Sequence, residues 1–186
     1  LDIDAGIYNW DTSGGISTAS NVASAITNAP TKTKFMIVSN PDRHLICFGT
    51  ETTIGTTSTQ DPMFIRWSDQ DDFNSWTATA TNSAGSQRVT GGSKIVTAVS
   101  TRGQILFLTD TSAHGMSFIG APFTFGFQKL GTNCGAVSPH CAVDISGIIY
   151  WMSSDGFYMF DGTVRKMPCS VEDFVFDNID TTQLEQ

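Results

Sequence analysis

Short apolar runs separated by turn residues set the rhythm of this chain. The clearest block runs C141-A-V-D-I145, Ser146-Gly147, I148-I-Y-W-M152, Asp155-Gly156, F157-Y-M-F160, Asp161-Gly162, V164-R-K-M167. Such runs are too short for helices, and S-G and D-G dipeptides supply the positive φ of tight hairpin turns, so the block predicts a four-stranded antiparallel meander. Its opening recurs upstream. A98-V-S-T-R-G-Q-I-L-F-L-T-D110 aligns with A142-V-D-I-S-G-I-I-Y-W-M-S-S154, setting Ala98, Val99 and Gly103 on Ala142, Val143 and Gly147. F35-M-I-V-S-N-P-D-R-H-L-I-C-F-G49 is a weaker copy with its turn at N40-P-D.

A further match joins I65-R-W-S-D-Q-D-D-F-N-S-W76 to I149-Y-W-M-S-S-D-G-F-Y-M-F160. Ile65, Trp67, Asp71, Phe73 and Trp76 fall on Ile149, Trp151, Asp155, Phe157 and Phe160. Shared positions of this kind assign the tryptophans to packing and the aspartates to a turn, leaving Arg66, Asp69 and Asp72 open to a specific role. Four-stranded units recurring every about 40 to 45 residues are the sequence sign of a β-propeller. The expected fold is therefore all-β, a β-propeller-like array of four-stranded antiparallel blades with about three visible and one short C-terminal helix. Propellers close with about four to eight blades, so other chains or further segments are expected to complete this one.

The same pattern divides the chain into an unplaced N-terminal segment (1–34), blades with Thr/Gly-rich insertions (35–168), and a short helix and tail (169–186). Gly49–Pro62 and Asn82–Ser93 read as surface excursions. For the helix, Ser170 and Asp173 are spaced like a capping box, and Val171, Phe174 and Val175 share a face expected to dock on a sheet edge. Thr18–Thr27 fits either a short helix or an extended segment.

Charge narrows the function classes. Ten Lys and Arg against eighteen Asp and Glu give a net charge of −8 in 186 residues, the opposite of a basic footprint on nucleic acid or an anionic membrane. With no apolar run of about 18 residues and no basic-then-apolar leader, the chain is expected to be soluble, and its start without Met reads as a piece of something longer. Cys47, Cys134, Cys141 and Cys169 form no C-x-x-C pair, and His44, His114 and His140 share no metal-ligand spacing. G91-G-S-K94 lacks the order of a phosphate loop. No metal, cofactor or catalytic residue is assigned, and no enzyme activity is expected.

Acidic residues beside indoles invite a calcium or sugar site. The EF-hand fails, because the twelfth residue from Asp69 is Ala80 and no Gly stands at the sixth place. Asp69, Asp71, Phe73 and Trp76 do resemble the Asp-box of sialidase-like propellers, with Phe in place of its Gly, and in that family the box is a turn element away from the catalytic centre. A glycosidase also needs two carboxylates facing one another about 5 to 10 Å apart. The other candidate surface is I119-G-A-P-F-T-F-G-F-Q-K-L130. Phe123, Phe125 and Phe127 alternate at period two, so as a strand they would face one way, toward the core or toward another subunit.

The succession F64-I-R-W-S-D, R102-G-Q-I-L-F-L-T-D, F118-I-G-A-P-F-T-F-G-F-Q, G135-A-V-S-P-H-C-A-V143, Y150-W-M-S-S-D-G-F-Y-M-F-D-G162 and V171-E-D-F-V-F-D177 resembles the tail nozzle, or packaged-DNA stabilisation, family of short-tailed bacteriophages. The resemblance covers roughly residues 35 to 180. It implies a structural virion protein, assembled in the host cytoplasm, that closes the tail, retains packaged DNA and forms the ejection channel. Expected partners are copies of itself in a ring, a hexamer in that family, tail adaptor or portal-side proteins, and tail fibres or spikes. Double-stranded DNA would pass non-specifically, and no membrane segment is expected. The alternative class is a carbohydrate-binding or sialidase-like module that meets a host surface glycan near Trp67 or Trp76.

Overall fold

The computed structural model of the chain describes residues 4–13, 23–40 and 42–184. Among these residues it is mostly β: three four-stranded antiparallel sheets, one two-stranded ribbon and one short helix. The ribbon pairs β1 (Tyr8–Asn9) with β2 (Ser24–Ala25). Sheet I holds β3 (Phe35–Val38), β4 (Leu45–Phe48), β5 (Phe64–Trp67) and β6 (Gly85–Arg88). Sheet II holds β7 (Ile95–Thr101), β8 (Gln104–Thr109), β9 (Ser112–Gly120) and β10 (Thr124–Thr132). Sheet III holds β11 (Ala142–Ile145), β12 (Ile148–Ser153), β13 (Gly156–Phe160) and β14 (Val164–Met167), followed by α1 (Glu172–Asn178). In each four-stranded sheet the strands pair in chain order, the meander the turn chemistry predicts, and no sheet closes on itself.

The chain forms two compact units. The first contains β1 to β6, and its core joins Ile7, Ala29, Cys47 and Trp76, with Ile26, Leu45 and Ile54 packed around them. Among the described residues of the N-terminal segment, Ile7, Ile26 and Ala29 thus pack into the core of this unit. Backbone bonds tie the segment in: Ile26 N–H donates to Ile7 O at 3.0 Å and Thr33 N–H to Ala5 O at 3.1 Å.

The second unit contains sheets II and III, packed face to face. Val96, Leu106, Leu108 and Ala113 from sheet II meet Ile149, Trp151, Tyr158 and Phe160 from sheet III, with Cys134 and Ala136 of the connecting segment between them. The indole N–H of Trp151 donates to Cys134 O at 2.8 Å, so the largest ring in this core carries no unmet donor. The register places Val143, Ile145, Ile148, Tyr150, Met152, Phe157, Met159 and Met167, with Arg165 beside Met159, on the opposite face of sheet III. Val143 and Ile145 there are 53% and 56% exposed. A sheet largely apolar on both faces is the composition of one that lies between two layers.

The structure revises several expectations. The Trp67 and Trp151 segments are not equivalent, because β5 is the third strand of its sheet and β12 the second. Phe73–Trp76 lies in a turn region, whereas Phe157–Phe160 lies within β13. The Asn82–Ser93 excursion contains β6, and its Gly85 is required by close approach: a Cβ there would stand 2.5 Å from Cζ2 of Trp67. Helix α1 forms where expected but without a side-chain cap from Ser170, and Val171 and Phe174 are exposed. The contacts with sheet III are made by Phe176, whose ring centroid is 5.7 Å from that of Phe157, and by Glu172, 2.8 Å from Lys166. Of Thr18–Thr27, the part up to Val22 lies outside the described residues, and Ser24–Ala25 is extended.

Candidate functional site

The acidic turn after β5 is built from within. Asp69 Oδ1 accepts from the N–H of Gln70 at 2.9 Å, the N–H of Ser83 at 2.8 Å and the hydroxyl of Ser83 at 2.6 Å. Those Ser83 bonds hold its carboxyl below the ordinary range. Asp72 accepts from Asn74 N–H at 2.9 Å and Ser75 Oγ–H at 2.7 Å, again lowering its carboxyl. Trp76 is fully buried and donates its indole N–H to Phe73 O at 2.7 Å. Trp67 is 5% exposed and donates to Ser83 O at 2.9 Å. Both indoles pack and both carboxylates cap turns, which leaves no open platform on these tryptophans.

Arg66, in β5, and Asp71, in the turn, bind groups outside the turn. Arg66 Nη2 donates to Thr52 O at 2.8 Å and Glu51 O at 3.3 Å. Glu51 is fully buried, and its carboxylate accepts from Thr31 Oγ–H, Thr31 N–H at 3.3 Å and Gly55 N–H at 2.9 Å. Desolvation pulls the Arg66 guanidinium down, and the Glu51 charge opposes that pull. This cluster fastens the N-terminal segment and the Gly49–Pro62 insertion to β5. The sequence offered no sign of it, since Glu51 stands in a Thr-rich loop that reads as solvent-facing.

Asp71 makes a two-pronged ion pair with Arg43, at 2.5 Å from Nε and 2.6 Å from Nη2. Both residues take left-handed backbone, with φ of 58° and 53°. They border a cleft of about 310 Å³ lined also by Asn9, Val38, Leu45, Ser68 and Phe73. In the second unit, a cleft of about 480 Å³ lies against the β7–β8 and β11–β12 turns, where Arg102, Asp144 and Ser146 contribute polar groups.

The phenylalanine segment is split by the structure. Phe125 is 4% exposed, edge-on to Phe118 at 5.8 Å, and Phe127 is half-buried, edge-on to Phe107 at 6.3 Å. Phe123 precedes β10 in the hairpin turn and is 72% exposed. Thr124 takes φ of 57°, which breaks the alternation on which a common face for the three rings depends. Phe118 and Ile119, on the other arm, are 43% and 57% exposed and were not singled out by sequence.

The remaining candidates are structural. His44 is fully buried with Nε2 3.0 Å from Ser83 Oγ, and His114 is buried with Nε2 3.0 Å from Ser112 Oγ and its ring stacked on Phe107. The cysteines are free thiols, and burial pushes Cys47 up to about 12. Among the described residues no group of three His, Cys, Asp or Glu side chains is placed to hold a metal ion, and no helix is long and apolar enough to cross a membrane. No protein-family model matches the chain, and no curated protein matches it significantly.

Proposed function

We propose that the chain is a structural component of a short bacteriophage tail, a nozzle or tail-tube protein whose sheets are blades of a β-propeller. The observation that carries the reading is the succession of three four-stranded meanders, the last of them largely apolar on both faces, with α1 over Phe157 on one face and Val143 and Ile145 exposed beside it. A sheet of that composition calls for another layer, and a ring of copies or further blades supplies it. The net charge of −8 suits the wall of a DNA passage, because fixed negative charge repels phosphate and lets the duplex slide. The order of segments that resembles the tail-nozzle family supplies the virion setting, with adaptor and fibre proteins as neighbours.

Mass photometry of the full-length protein, followed by negative-stain imaging, tests this: closed rings are the expected result. Monomers alone at every concentration would overturn it. The carbohydrate reading is weaker now, since Trp67 and Trp76 are buried. It rests on the Arg43, Asp71 and Phe73 cleft alone, and a glycan array with no hits on the wild-type protein would end it.

A further inference from the structure

We infer that two copies of this chain meet through the outer face of sheet III, each laying its helix α1 on the part of that face that the other leaves uncovered. The register divides the face into rows. Met152, Phe157 and Met167 form the row that α1 joins, where the ring of Phe176 meets Phe157. Val143, Tyr150, Met159 and Arg165 form the next, and Ile145 with Ile148 the last. In these two rows Val143 and Ile145 are 53% and 56% exposed, and Ile148, Tyr150 and Met159 are half-buried. An equivalent face in the same unit shows what such rows are for. At the offset that sets Val99 on Val143, Leu106 and Leu108 fall on Tyr150 and Met152, and those leucines are fully buried in the core that sheet II forms with sheet III.

Shape and charge select a second copy as the occupant. With a helix at one end and open rows at the other, the face is a step, and a step is complementary to itself under a two-fold rotation, the commonest symmetry of closed pairs. The helix brings apolar side chains to such a contact: Val171, just before it, and Phe174 on it are 55% and 71% exposed. It also brings charge of one sign. From Val171 to Asp180 the segment carries Glu172, Asp173, Asp177 and Asp180 and no basic residue. The open rows are bordered by cations. Arg165 closes one row, its side chain 63% exposed and 3.5 Å from Asp161, and Arg102 stands beside the β11–β12 turn, where a Cβ on Gly147 would lie 3.7 Å from its Nε. Glu172 pairs with Lys166 of its own copy at 2.8 Å, and Asp173 and Asp177 are exposed. Each helix thus offers carboxylates where the other copy offers guanidinium groups, with Phe174 as the aromatic anchor against Val143, Ile145 and Ile148.

The inference rests on the tail reading only in that copies supply the missing layer, and it makes a pair the unit from which any ring is built. Its test is sedimentation velocity of the full-length protein with two charge swaps, Asp173→Lys with Asp177→Lys on the helix and Arg102→Glu with Arg165→Glu on the face, and circular dichroism to confirm that each is folded. The wild type is expected to form pairs, and each swap, which sets like charges against one another, to weaken self-association about tenfold or more. An equimolar mixture of the two swaps is expected to pair as tightly as the wild type, because each helix then meets a face of opposite sign. A wild type that stays monomeric, swaps that associate as the wild type does, or a mixture no tighter than its components would each overturn the inference. Rings that assemble unaffected by either swap would overturn it and leave the tail reading standing. Pairs that never close into rings would sustain it and tell against the tail reading.

Discussion

Asp69 is saturated by its own loop, and that fixes how the turn responds to acid. Its folded-state carboxyl lies below the unfolded value of about 3.9, chiefly through Ser83. A depressed carboxylate contributes stability that is fully present above the unfolded value and is lost as pH falls through the folded one. Urea midpoints of the wild type are therefore expected to drop on acidification below about pH 4, and Asp69→Asn to start lower at neutral pH and change less. An identical pH profile in the variant would show that Asp69 contributes no linkage. Glu51 differs in kind, because it is fully buried and its carboxylate accepts from Thr31 and Gly55. Glu51→Gln turns one acceptor into a donor against those groups and leaves the Arg66 charge uncompensated, at an expected cost of about 1–3 kcal/mol. Adding Arg66→Met should recover part of that loss in chemical denaturation, as removal of a whole buried pair costs less than removal of half.

Between β5 and β6, Gly85 fits closely against the Trp67 ring, where a Cβ would stand 2.5 Å from Cζ2. Gly85→Ala would force the indole aside, with an expected loss of about 1–3 kcal/mol and a change in tryptophan emission in the folded state. Unchanged emission and stability would mean that the sheet yields more easily than its packing implies. The same pair of strands explains where sequence reasoning stopped. Sheet III was legible almost strand for strand, since its runs are apolar and its turns carry S-G and D-G. Sheet I was legible only in its first hairpin, where the runs flanking N40-P-D are β3 and β4; long insertions precede β5 and β6, and β6, Gly-Ser-Gln-Arg, has no apolar alternation to announce it. Ile-x-Trp occurs on β5 and on β12 alike, as any inward-facing strand can use it, so the match between them reported packing but not position in a sheet. Periodicity placed α1 but not its docked side, which only the contact of Phe176 with Phe157 selects. For the phenylalanine hairpin, period two assumed a continuous strand, and the left-handed Thr124 interrupts it.

At the scale of the whole molecule, the exposed part of the outer face of sheet III and the net negative charge bear on different properties. Val143 and Ile145 are each more than half exposed, so Val143→Lys with Ile145→Lys should leave the fold intact while weakening any assembly that covers the face. Rings that persist unchanged by mass photometry would place the contact elsewhere. The charge balance makes its own statement about DNA. Eighteen acidic against ten basic side chains give a pI near 4.5, so at neutral pH the protein and duplex repel, and low salt lengthens the reach of that repulsion. A DNA-binding protein behaves in the opposite way, binding more tightly as salt falls, because its cations displace counterions from phosphate. The expected result is no retardation of double-stranded DNA at neutral pH and low salt, by wild type or by assembled rings. A shifted band at low salt would reveal a local basic surface strong enough to overcome the net charge, and would make this protein a clamp on DNA where the tail reading requires a passive wall.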